Sequence, residues 1–124
     1  MGTSANIGIY NPKNDSVIAS YCHYDGYVDG VGKTLVKSYN SQYDAEIIAK
    51  GGYLSSLSDD YLESKINSVN SDAPIEYENI KHFLKQSFND TGAEYAYVWD
   101  GNTWFVATEI MAFEEVEINL KKVA

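Results

Sequence analysis

Glu94-Tyr95-Ala96-Tyr97-Val98-Trp99-Asp100-Gly101-Asn102-Thr103-Trp104-Phe105-Val106-Ala107-Thr108 is the stretch on which the fold turns. Two runs rich in aromatic and β-branched residues flank Asp-Gly-Asn, so the segment predicts a β-hairpin whose rings belong to strands. On its N-terminal side, Pro74 suits the first turn of a helix through about Phe88, with Tyr77, Ile80, Leu84 and Phe88 on one face and a stop near Gly92. On its C-terminal side, Val116, Ile118 and Leu120 alternate with Glu115, Glu117, Asn119 and Lys121, which predicts a half-buried last strand.

The beginning of the chain reads as a second hairpin. Ile7-Gly8-Ile9-Tyr10 and Val17 to Tyr24 enclose the turn cluster Asn11-Pro12-Lys13-Asn14-Asp15-Ser16. Beyond Asp25-Gly26 the period becomes helical at Val31, Leu35 and Tyr39. Ser41, with Asp44 three residues on, caps a second helix that runs to Gly51-Gly52. Tyr53 to Leu57 reads as a buried connector, and Ser58-Asp59-Asp60 as the cap of a brief helix carrying Tyr61, Leu62 and Ile66. Asn67 to Asp72 is the most loop-like stretch. Two strands, helices, then three strands predict a single α+β domain over residues 1–124. Its sheet is expected to be mainly antiparallel, with about five strands and helices packed on one face.

Composition narrows the function. Eighteen acidic residues face nine basic ones, all lysine, for a formal charge of −9. A protein that grips nucleic acid directly needs a cationic face and favours the flat fork of arginine, so that class is excluded as an expectation. An acidic surface suits a basic protein partner, including the nucleic-acid site of another protein, and it also favours solubility. No run approaches the roughly 20 apolar residues of a membrane span, and the first residues carry no basic start or apolar run of a secretory signal. One cysteine forms no internal bridge, which fits a reducing cytoplasm. Asn14-Asp15-Ser16 and Asn89-Asp90-Thr91 match the glycosylation pattern but are read as turn and helix-end chemistry. An exposed sheet face or edge on so aromatic a chain leaves homo-oligomerisation open.

The densest group of chemically capable side chains is Tyr21-Cys22-His23-Tyr24-Asp25-Gly26-Tyr27, leading into Asp29-Gly30-Val31-Gly32. Cys22 beside His23 suggests a thiol nucleophile with an imidazole base, the basis of an alternative enzyme reading. Strand alternation, however, sends the two to opposite faces. A working pair would need His82, in the long helix. One cysteine and two histidines lack the paired spacing of a zinc site, and no metal or cofactor is expected. Gly-Lys-Thr at 32–34 resembles the end of a phosphate loop, but Gly26 and Gly32 enclose five residues where that loop requires four. Asp25 and Asp29 also oppose an anion. The junction is expected to shape the fold or to grip a protein, with Tyr24, Asp25, Tyr27 and Asp29 as the candidate contact loop. Whether the remaining carboxylates, among them Glu76, Glu78, Glu114 and Glu117, form a phosphate-like row is a question of geometry.

That block, followed by Val31-Gly32-Lys33-Thr34-Leu35-Val36, Tyr39, Ile47-Ile48 and Gly51-Gly52-Tyr53-Leu54-Ser55-Ser56-Leu57, resembles a family of small tailed-bacteriophage proteins marked by Tyr-Cys-His-Trp-Asp-Gly-Tyr. Tyr24 stands where the family has tryptophan. The likeness covers roughly residues 6–57 and returns more loosely from Tyr95 to Phe105. It implies a phage protein acting in the cytoplasm of an infected bacterium. With the acidic charge, the expectation is a protein that binds and inhibits or redirects a host factor, in host takeover or against a defence system. A structural or assembly role in the phage particle is the third reading.

Overall fold

The computed structural model describes residues 2–123 of the 124. Both expected hairpins are present. Strands β1 (Ala5–Asn11) and β2 (Ser16–Cys22) pair antiparallel with Ile9 opposite Ile18. In their turn the Asn11 side-chain oxygen accepts from the Lys13 amide, and Asn14 Oδ1 accepts from the Ser16 amide and hydroxyl. Asp15 there takes φ 64°, a left-handed conformation that aspartate tolerates. Strands β4 (Tyr95–Trp99) and β5 (Trp104–Ala107) close with Trp99 opposite Trp104. Asp100 Oδ1 accepts the amides of Asn102 and Thr103, and Gly101 adopts φ 104°.

The hairpins meet through their first strands, β1 and β4, which run parallel from Ala5 opposite Tyr95 to Ile9 opposite Trp99. The sheet is therefore mixed, and with the edge strands β3 (Ile75–Tyr77) and β6 (Glu114–Glu115) it has six strands in the order β3-β2-β1-β4-β5-β6. The expectation of a mainly antiparallel sheet of about five strands is met in part: the β1–β2, β2–β3, β4–β5 and β5–β6 pairs are antiparallel, but β1 and β4 are parallel and a sixth strand is present. Parallel pairing requires a long crossover, and the chain between β2 and β4 supplies it. Strand β3 (Ile75–Tyr77) lies at one edge, inside the stretch expected to be helical from Pro74. The helix α4 (Ile80–Asn89) starts later because Asn79 Oδ1 accepts the His82 amide at 2.7 Å, while Tyr77 pairs with Val17 and buries its ring. At the other edge, β6 is only Glu114–Glu115.

The expected last strand is instead helix α5 (Val116–Val123). Val116 is buried and Leu120, four residues on, packs on the same core, whereas Ile118 is turned out. One inward pair at helical spacing outweighs the apparent alternation. Glu114 helps hold the helix by accepting from Asn119 and pairing with Lys122.

Helices cover both faces of the sheet, not one. Ala5, Ile7, Ile9, Tyr97, Trp99, Trp104 and Val106 point to a core shared with α1 (Lys33–Ser38), α2 (Gln42–Lys50) and α5, through Leu35, Ile48 and Val116. Val17, Ala19, Ala96 and Val98 point the other way, onto Phe83 of α4. The expectation failed because a sheet of small and β-branched residues on its second face still exposes apolar area, and α4 covers it. Both tryptophans satisfy their indole N–H: Trp104 donates to the Tyr39 carbonyl at 3.0 Å and Trp99 to Gln42 Oε1 at 2.8 Å. Ser41 caps α2 as expected, accepting the Asp44 amide. The short α3 (Tyr61–Ile66) is capped by Asp60 rather than Ser58, because Asp60 Oδ1 accepts the Glu63 amide. Ser58 joins the same corner by accepting the Asp60 amide.

Candidate functional site

The end of β2 does not run straight into a helix. After Cys22 the chain leaves the sheet, passes Tyr24 and Asp25, and coils through a π-helical turn, Val28–Gly32, into α1. Backbone bonds fasten this junction on several sides. The Tyr24 amide donates to the Ser55 carbonyl at 2.9 Å, the Gly26 amide to Thr3 at 2.7 Å, and the Val31 amide to Asp25 at 2.8 Å. Beneath it the buried Tyr97 hydroxyl donates to the Gly26 carbonyl at 2.7 Å. A Cβ on Gly26 would sit 2.8 Å from the Ser4 carbonyl carbon, so only glycine lets the two segments approach this closely.

On that fixed backbone Tyr24, Asp25, Tyr27 and Asp29 all present exposed side chains, with Tyr24 46% and Tyr27 42% accessible. Asp25 holds φ 60°, which asparagine would also accept, and its carboxylate takes a hydrogen bond from the Tyr27 hydroxyl at 3.3 Å. The charge of Asp25, followed by partial burial, holds the Tyr27 phenol above its ordinary value. The four residues divide in space. Tyr27 and Asp29 border an open groove of about 640 Å³ whose other walls include Lys33, Tyr95, Met111 and Leu120. Tyr24 instead packs edge-on against the His23 ring, centroids 4.5 Å apart. Met111 and Leu120 were not among the sequence candidates, since nothing local ties residues so distant to this loop.

The catalytic candidates are dispersed. Cys22 is fully buried in the first core, its Sγ 3.6 Å from the Tyr24 carbonyl. Burial, chiefly, pushes its thiol up to about 12, so at neutral pH it carries no appreciable thiolate. His23 faces the opposite side of the sheet, 3.3 Å from the Tyr21 hydroxyl. His82 lies on α4, across the sheet from Cys22, and its Nδ1 accepts the Glu78 amide at 3.1 Å. The Gly-Lys-Thr segment offers no phosphate cradle, because the Lys33 amide is bonded to the Val28 and Gly30 carbonyls inside the turn. Among the described residues no three histidine, cysteine or carboxylate side chains gather in a metal-holding group. No described helix is long and apolar enough to cross a membrane. No family model, curated protein or solved structure matches the chain.

Proposed function

We propose that this is a small acidic phage protein that binds a host protein with a basic site and inhibits or redirects it, using Tyr24, Asp25, Tyr27 and Asp29 as the contact loop. The observation that carries this reading is that four exposed aromatic and acidic side chains stand on a backbone fastened by several backbone hydrogen bonds and by the buried Tyr97 hydroxyl. Such a surface loses little conformational freedom on binding. Tyrosine supplies contact area at low entropic cost, and carboxylates attract a basic partner and speed its approach.

Ser55 ties the loop to a segment that carries exposed apolar side chains. The Ser55 carbonyl holds the Tyr24 amide while Ser55 Oγ accepts the Val69 amide at 3.0 Å. Val69, three residues past the end of α3, and Leu62 and Ile66 on α3 are all largely exposed. The buried thiol and the dispersed histidines give the enzyme reading less to stand on than the loop gives the binding one.

Affinity capture from host lysate at low salt tests the proposal, with the wild-type chain compared against Tyr24→Ala/Asp25→Asn/Tyr27→Ala/Asp29→Asn. Recovery of a basic host protein by the wild type alone is expected. Equal recovery by both chains, or none above background, overturns it.

A further inference from the structure

On the sheet face opposite Cys22, and next to Tyr24, lies a second cavity of about 480 Å³. Half-buried Tyr21 and His23 supply the accessible aromatic surface, backed by the buried rings of Tyr53 and Tyr77; Tyr21 and Tyr53 stack at 28° with centroids 6.0 Å apart. Asn6 lies in the lining and is almost wholly buried. Its amide nitrogen donates to Ser87 Oγ at 2.9 Å and to Thr91 Oγ1 at 3.1 Å, leaving the side-chain oxygen as an acceptor. Asp72 stands at the rim, positioned by its backbone: its carbonyl accepts the Tyr53 amide at 2.9 Å and its amide donates to Asn70. The lining contains no lysine.

The chemistry of this lining selects a ligand that is flat, cationic and rich in donors. A guanidinium fits each requirement: it stacks on aromatic faces, donates to carboxylate and amide oxygens, and has no acceptor to satisfy. An anion would meet Asp72 and a chain of charge −9. We propose that this cavity receives an arginine side chain of the basic partner. The inference rests on the reading that the partner is basic. It places both contacts in one interface, because His23 lines the cavity while its ring touches Tyr24.

An NMR titration of the isolated full chain tests this. The probes are a capped Gly-Arg-Gly peptide, its citrulline counterpart of the same shape without charge, and free arginine. Saturable shifts at the Asn6 side-chain amide and the Tyr21 and Tyr53 rings are expected with the arginine peptide. Binding should be roughly fivefold weaker for citrulline, and roughly fivefold weaker for arginine with Asp72→Asn, a surface change that leaves the backbone bonds intact. Equal binding of citrulline and arginine, an unaffected Asp72→Asn variant, or shifts spread outside the cavity would overturn the proposal. Tighter binding of free arginine would indicate a metabolite and overturn it too. No host protein enters the titration, so its failure is distinguishable from failure of the host capture.

Discussion

Cys22 and His23 are neighbours in sequence whose environments differ completely. The thiol sits in a core with its ionisation pushed up to about 12 by burial, while the ring lies among tyrosines on the other face. Alkylation of Cys22 at pH 8 should therefore be slow in the native chain and fast after denaturation, and rapid native alkylation would revive the enzyme reading. The same shift sets an alkaline limit on stability. A thiol that ionises near 9 when unfolded and near 12 when folded keeps its proton longer in the native state. Its contribution is complete below pH 9 and is lost as pH climbs toward 12, and the buried Tyr97 phenol, also raised, acts in the same sense. Melting temperature should fall across that window, less steeply for Cys22→Ala. Gly30 is a second single-position test. A Cβ there would collide with the Asp25 carbonyl oxygen, a backbone atom with little room to move, so Gly30→Ala should cost about 1–3 kcal/mol in chemical denaturation.

The two hairpins were readable because their instructions are local. Asp100-Gly101-Asn102 and Asn14-Asp15-Ser16 build turns from their own side chains, with no help from distant parts of the chain. Strand β3 was not readable, since its three residues owe their extended form to pairing with β2, and Ile75 and Glu76 are exposed. The last segment misled for a related reason: Val116, Ile118 and Leu120 satisfy both periods, and only packing shows that Ile118 is outside. At the start of α4 the deciding residue is Asn79, whose side chain holds the His82 amide. Asn79→Ala should cost about 1 kcal/mol in urea denaturation, and a neutral result would mean that another group ends the strand and starts the helix.

Across the molecule, the joining of two antiparallel hairpins by a parallel pair has no local signature, and it determines what surrounds the candidate loop. That pairing places Tyr95 beside β1, where it can share a groove with Tyr27 and Asp29. Exposure of the loop followed from its polar and aromatic composition, but the groove joins residues as far apart as Tyr27 and Leu120, and the second cavity joins Asn6 and Thr91. Both sheet edges are short, three residues at β3 and two at β6, which limits self-association by strand pairing. In the proposed function the acidic surplus and the fixed loop have separate tasks, charge to bring a basic partner close and preorganised tyrosines to hold it. The most direct test is the affinity of the recovered host partner for single loop variants. Tyr24→Ala and Tyr27→Ala should each weaken it by about tenfold or more, and Asp25→Asn and Asp29→Asn should flatten its salt dependence, while exposed Tyr43→Ala on α2 leaves it unchanged. Wild-type affinity in all four loop variants would contradict the account.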